Sequence, residues 1–356
     1  MKNNVIRRIV AFSAMTMVLG FASLTRAQNK TPDETIRIET KLVSVPTIVS
    51  DRDGRYIPNL TAADFTILQD GAPQNIEFFA ATEEPISVAI LIDTSQSTRQ
   101  VLGDIKDSAK SFLKLLGPQD KAMIVSFDYD THMLSPLTGD QEQLKNAIKK
   151  AEIPPRGMFG TTLRDAVFQT VNNTFKGLTA RKAIILLTDG KDAGSLITSR
   201  ALLVKLEESD TLIYTIMFKT GDRPTQPALL GGGFPGGGRG GGIGDRRGGG
   251  GGRFPIPSGR GNPRGQGRAD EANKDAEVFL QKLSDMTAGR FYASKDGKLK
   301  KTFALIVDEL RFQYRLGFYP PDETGGKTRH ELKVKVSRPN LVVRARSGYR
   351  TQSKSD

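Results

Sequence analysis

Hydrophobic and polar positions divide this chain into three patterns. Residues 36 to 83 alternate with period two. Ile36-Arg37-Ile38, the run 42–49, 63–67 and 74–78 read as short strands, broken by Asp51-Arg52-Asp53-Gly54 and Asp70-Gly71. Alternation punctuated by Asp-Gly turns predicts antiparallel strands with one buried face. From Pro85 the pattern changes. Apolar runs at 86–92, 122–127, 182–187 and 212–218 alternate with helical periodicity at 98–116, 141–152, 162–175, 199–209, 271–287 and 299–311. A short edge strand is expected at 132–137 and another strand at 290–293. Continuous apolar strands separated by amphipathic helices predict a doubly wound, mainly parallel sheet covered on both faces. After Arg311 the period-two pattern returns at 314–319, 331–336 and 341–345, closing on Gly348-Tyr349. Neither flank is a complete sandwich, so both are expected to build one small β-sandwich into which the α/β unit is inserted.

The leader and one interior stretch stand apart. Residues 1–27 carry a basic start, an apolar run and the small-x-small site Thr25-Arg26-Ala27, the pattern of a cleaved secretory signal peptide. The expected organisation is therefore signal peptide 1–27, first sandwich part 34–83, α/β domain 84–311 and second sandwich part 312–350. There is no cysteine, so export does not bring disulfides or acylation at a cysteine. Residues 221–268 hold 20 of the 37 glycines and six prolines, with little to bury, and read as a flexible insertion.

Charge changes the picture less than its size suggests. Of the net +13, the leader carries +4 and 221–268 carry +6, leaving +3 on the rest. A nucleic-acid-binding face is not indicated. The Arg-Gly-Gly repeats at 239–241 and 247–249 lack the interleaved aromatics of a base-stacking segment, having only Phe234 and Phe254. Contact of this loop with an anionic envelope surface is the partner reading it supports.

The candidate chemistry lies where strands end. The run 86–92 stops at Asp93, with Ser95 and Ser97 at alternate positions after it. Ligand sites in open α/β sheets form at the carboxyl ends of the strands. A carboxylate and two hydroxyls converging there suit a hard cation such as Mg²⁺, Mn²⁺ or Ca²⁺. Gly160-Thr161-Thr162 precedes a helix, and Thr188-Asp189-Gly190 ends another apolar strand. Thr162 is an alternative to Thr161 as the loop hydroxyl.

Asp93-x-Ser95-x-Ser97, then Gly160-Thr161, then Thr188-Asp189-Gly190 resembles the metal-ion-dependent adhesion site of von Willebrand factor type A domains, in motif order and over roughly residues 85–311. The 64–71 hairpin and the closing Arg346-Ser347-Gly348-Tyr349-Arg350 are similar to a family of bacterial secreted von Willebrand A-related proteins. The resemblance implies a metal site of Asp93, Ser95, Ser97, Thr161 and Asp189. It further implies that the hydroxyls bind directly, the aspartates act partly through water, and a partner protein's Asp or Glu completes the shell. It also implies a last helix, 299–311, able to shift when the site is occupied.

Three functional classes remain. The first is an exported metal-dependent adhesion module, and the second a metal-independent scaffold of the cell envelope. A metal-dependent hydrolase is the third, and it needs a positioned general base. His132 and His330, the two histidines, are far from the ligand loops in sequence and read as solvent-facing. No Gly-x-Ser-x-Gly occurs. Asp51-x-Asp53-Gly54 lacks the later acids of a calcium loop and reads as a turn. Gly325-Gly326-Lys327-Thr328 lacks the first glycine of a phosphate loop and reads as a hairpin turn.

Overall fold

The computed structural model describes residues 42–81, 84–178, 180–220, 263–294, 299–321 and 328–351, with side chains in the long helix from residue 271. The expected leader, the strand at 36–38, the turn at 325–328 apart from Thr328, and the insertion up to residue 262 lie outside the described residues. No helix among the described residues is long and apolar enough to cross a membrane.

The chain runs through β1 (Val43–Ser50), β2 (Phe65–Gln69), β3 (Ala72–Gln74) and β4 (Phe78–Ala80) before entering the alternating region. There follow β5 (Ile86–Asp93), α1 (Leu102–Leu113), β6 (Lys121–Phe127), β7 (Thr131–Thr138), α2 (Gln141–Lys150) and α3 (Leu163–Gln169). Next come β8 (Arg181–Thr188), α4 (Ser199–Glu207), β9 (Leu212–Met217), α5 (Pro263–Met286), β10 (Phe291–Ala293) and α6 (Leu299–Arg311). The last strands are β11 (Tyr314–Phe318), β12 (Arg329–Val336), β13 (Val342–Ala345) and β14 (Gly348–Arg350).

The six-stranded sheet has the order β10-β9-β8-β5-β6-β7, parallel except for the antiparallel edge β7. Its central strands β5, β6, β8 and β9 are largely apolar because each face is covered. On β5, Val88, Ile90 and Ile92 pack with Ile105 and Phe112 of α1, Leu144 and Ile148 of α2, and Phe303 and Leu310 of α6. Ala89 and Leu91 join Leu163 and Val167 of α3, Leu202 of α4 and Leu280 of α5 on the other face. The two-residue period of a strand thus divides one apolar run between two helical layers.

From β5 the chain moves to β6 on one side, whereas from β8 it moves to β9 on the other. The carboxyl ends of β5 and β8, which are paired through Ile92 and Leu187, therefore flank the topological switch point.

The flanking strands form two antiparallel four-stranded sheets, β13-β1-β11-β4 and β14-β12-β2-β3. Both mix strands from the two ends of the chain. Val45, Ile67, Tyr314, Phe318, Leu332 and Tyr349 belong to one buried cluster shared by the two sheets.

Several expectations need correction. The stretch 74–78 is not one strand. β3 pairs with β2, whereas β4 pairs with β11, so the chain changes sheets between them. The expected helix 98–116 begins as a 3₁₀ turn, Gln96–Thr98, before α1, because the Thr98 hydroxyl bonds the Asp93 and Ser95 carbonyls. The helix expected at 162–175 ends its regular part at Gln169 and continues as a π-turn, Thr170–Thr174. The Thr170 hydroxyl donates to the Ala166 carbonyl there, the back-bonding that bends helices. α5 starts at Pro263, eight residues before the expected helix and inside the stretch read as flexible. A proline at the first helical position is pre-set for the helix and loses no hydrogen bond.

Candidate metal centre

β5 ends on Asp93, which is fully buried. One oxygen, Oδ1, accepts from the Ser95 N–H at 2.9 Å, and Oδ2 accepts from the Thr188 hydroxyl at 2.5 Å. The carboxylate is thereby held between its own loop and the end of β8. Ser95 Oγ and Ser97 Oγ lie 3.0 Å apart, so the two hydroxyls meet on one side of the loop. The loop is braced by Thr98, and by Gln96, whose side-chain amide donates to the Pro154 carbonyl at 2.8 Å.

The second loop carries Thr161, which is buried. Its carbonyl accepts from the Ala193 and Gly194 N–H groups at 3.2 and 3.0 Å, joining it to the loop that follows Asp189. Gly160 precedes it with φ +145°, and a Cβ there would lie 3.2 Å from Tyr129 Cα. Thr162 is directed elsewhere. Its N–H and hydroxyl both donate to the Asp128 carbonyl, at 2.7 and 3.1 Å. Thr161 makes no side-chain hydrogen bond among the described residues, which leaves it the free hydroxyl of the pair.

Asp189 follows β8 and is also buried. Lys191 N–H donates to Oδ1 at 3.2 Å, and the Thr220 hydroxyl donates to Oδ2 at 3.0 Å. The Lys191 ammonium lies 3.1 Å from the same Oδ2. Gly190 has φ +82°, and a Cβ on it would come within 2.9 Å of Leu280 Cδ1. The turn that presents Asp189 therefore needs glycine, both for backbone conformation and for space.

The two aspartates sense each other. Burial first, and then the charge of Asp189, push the Asp93 carboxyl up to about 7, against the opposing hydrogen bonds from Ser95 and Thr188. Two carboxylates are withdrawn from water here; Asp189 meets the Lys191 ammonium, whereas Asp93 meets neutral N–H and hydroxyl donors, so the pair is only partly compensated. A hard divalent cation would relieve that. The donors, all oxygen, fit Mg²⁺ or Mn²⁺ with waters completing the shell. Among the described residues no group of three or more His, Cys, Asp or Glu is placed to hold a metal. The candidate centre is hydroxyl-rich, with only two carboxylates.

Several contributors escaped sequence reasoning. Lys191 adjoins the Asp-Gly turn, but its side chain could equally have faced solvent. Thr220 lies 31 residues from Asp189 and carries no signal in the sequence. His132 Nε2 lies 3.1 Å from Asp128 Oδ1, and Asp128 Oδ2 accepts from the Thr94 hydroxyl at 3.1 Å. This histidine is thus two hydrogen bonds from the residue beside Asp93, not remote. His330, expected to face solvent, is buried, with Nδ1 2.7 Å from Asp70 Oδ2 and its ring stacked on Tyr349. Its strand β12 turns His330, Leu332 and Val334 inward, placing the histidine on the core face. The Asp51 turn is closed by its own backbone and by Arg55, which pairs with Asp51 and Asp53, as befits a turn.

Residues 88–191 match the sequence model of the von Willebrand factor type A domain. The chain therefore carries a von Willebrand factor type A domain, whose matched stretch begins in β5 and ends just past Asp189. Among curated proteins, none matches this sequence significantly. Solved structures with a similar outline include the conserved hypothetical protein BatB from Bacteroides thetaiotaomicron. That likeness has 14% identity and TM-score 0.41, over 64% of this chain and 98% of BatB. The von Willebrand domain of the type V pili tip protein Mfa5 from Porphyromonas gingivalis has 14% identity and TM-score 0.42, over 64% and 95% of the two chains. Proximal thread matrix protein 1 from the mussel byssus, in a form with a zinc-occupied MIDAS motif, has 16% identity and TM-score 0.43. It is covered over 67% of this chain and 48% of its own, so this chain spans about half its length.

Proposed function

We propose that this protein is an exported binding module that captures a partner protein through a divalent cation. Asp93, Ser95, Ser97, Thr161 and Asp189 would hold the cation, with the three hydroxyls as direct ligands and the aspartates acting partly through water. A partner's Asp or Glu carboxylate would replace a water. Few charged ligands leave such a cation electrophilic, which favours capture of an anionic group over turnover. The observation that carries this reading is the pair of buried carboxylates, Asp93 and Asp189, set beside hydroxyls at the switch point of the parallel sheet. Export rests on the leader pattern of residues 1–27, and Mg²⁺ is favoured over Ca²⁺ by the few carboxylates. The domain boundaries follow the same reading, with a von Willebrand domain over 84–311 set into a sandwich of both chain ends.

Thermal melts with and without Mg²⁺ or Mn²⁺ test it. Stabilisation by the cation in the wild type, absent in Asp93→Ala, supports the proposal. Equal responses in both would favour a metal-independent scaffold. Pull-down from the native envelope with and without chelator then tests whether partner capture depends on the cation.

A further inference from the structure

The cation site contains a cation of its own. Lys191 Nζ lies 3.1 Å from Asp189 Oδ2 and donates to Thr220 Oγ1 at 2.9 Å. The side chain is 34% exposed while that of Asp189 is 2% exposed, so the ammonium enters from the rim and touches a carboxylate that water hardly reaches. Asp189 does not need the ammonium to keep its place. Its Oδ1 is held by the Lys191 N–H, and Oδ2 also accepts from Thr220. What Lys191 adds is charge at the carboxylate, on a flexible stem with a free route to solvent.

We propose that the Lys191 ammonium is a built-in counter-ion, which occupies Asp189 in the metal-free protein and must be displaced when a divalent cation binds. This rests on the cation-site reading above. Its positive charge offsets that of Asp189 and keeps the fold stable before a cation arrives. The same charge opposes the cation, first by competing for Asp189 and then by repulsion from the rim. Two like charges a few ångströms apart in a partly solvated site weaken binding by roughly tenfold. The site is thereby set to bind its cation moderately and to exist in a metal-free form. A von Willebrand site with a neutral residue at this position would hold the same ion more tightly.

The test is a calorimetric titration with MgCl₂ alone, on wild type, Lys191→Gln, Lys191→Met and Lys191→Arg, with the metal-free melting temperature of each. The expected result is roughly tenfold tighter Mg²⁺ binding in Lys191→Gln and Lys191→Met. Lys191→Arg should bind like the wild type. Without metal, the two neutral variants should melt below the wild type and regain the difference on saturation with Mg²⁺. Wild type and Lys191→Gln binding Mg²⁺ equally would overturn the counter-ion role and leave the cation site standing. Absence of binding in every variant would remove both. Binding only in the neutral variants would support the counter-ion role in its strongest form.

Discussion

The Thr188 hydroxyl donates to Asp93 Oδ2 across the two central strands of the sheet. At 2.5 Å it is a short contact between a neutral donor and a carboxylate that no water reaches. The bond ties the end of β8 to the end of β5 and so helps to align the two acidic loops. Thr188 also accepts from the Gly190 N–H at 2.9 Å, which fixes the turn that presents Asp189.

Replacing Thr188 by Val keeps the shape and removes this link. Loss of one partner of a buried hydrogen bond to a charged group costs about 1–3 kcal/mol. Urea unfolding of metal-free Thr188→Val should show that loss, and Mg²⁺ titration should show weaker binding. Unchanged affinity would mean that the sheet alone aligns the two loops.

The pH dependence follows from Asp93. Its folded carboxyl titrates at about 7, well above the ordinary carboxylate range of an unfolded chain. A raised carboxyl favours the folded state only while protonated there. The contribution is therefore full below the unfolded value and is lost as pH rises toward about 7. A cation competes with the same proton, so Mg²⁺ affinity should climb between about pH 5.5 and pH 7.5 and level off above, on the titration midpoint set by burial. Calorimetric titration at three or four pH values checks the slope. A flat profile would show that Asp93 is already ionised in the folded protein.

Removing the Asp93 charge separates stability from binding. Asp93→Asn preserves the volume and relieves the like-charge pair, but it replaces one of the two accepting oxygens by an NH₂ group, so the metal-free variant should melt close to the wild type. It should gain nothing from Mg²⁺ or Mn²⁺. Differential scanning fluorimetry with and without cation reads both effects.

The helix α6 is fastened at a buried charge. Glu309 of α6 pairs with Arg344 of β13 and, at 3.3 Å, with Arg290 next to β10. Truncating one member of a buried ion pair strands its partners and costs about 3–5 kcal/mol. Glu309→Ala should lose that much in chemical denaturation. Restoration of stability by a second change, Arg344→Met, would show that the cost is the stranded guanidinium. These pairings resist a shift of α6 along the sheet, such as the family resemblance implies, unless β13 moves with it.

Gly190 tests the turn. In Gly190→Ala the new Cβ meets Leu280 and Ala276 at 2.9 and 3.0 Å, in a backbone conformation that alanine disfavours. A stability loss above about 1 kcal/mol is expected from this strain. Weaker Mg²⁺ binding should accompany it as Asp189 moves.

Much of the fold was legible because its signals are local. Apolar runs such as 86–92 and 182–187, short and bounded by turn residues, read as strands buried on both faces, and the helices between them show their apolar stripes. Asp93, Ser95 and Ser97 were legible for a similar reason, since alternate positions on one loop need no tertiary information to converge. The split of 74–78 between β3 and β4 was not legible. Which sheet a short strand joins depends on partners, β2 and β11, that lie on either side of it in the chain. His330 was misread because its alternation places one face inward without saying which.

By itself the sequence determined the alternating architecture, the carboxyl-end positions of Asp93 and Asp189, and the acidic and hydroxyl character of the site. Period and residue type are enough for those. Only the tertiary structure decided that Thr162 serves Asp128 while Thr161 keeps its hydroxyl free. It alone brought Thr188 onto Asp93, and Lys191 with Thr220 onto Asp189. Those contacts join residues up to 95 positions apart, and they exist because the sheet sets β5 beside β8 and β8 beside β9. Strand order is a property of the packed whole, and no local pattern encodes it.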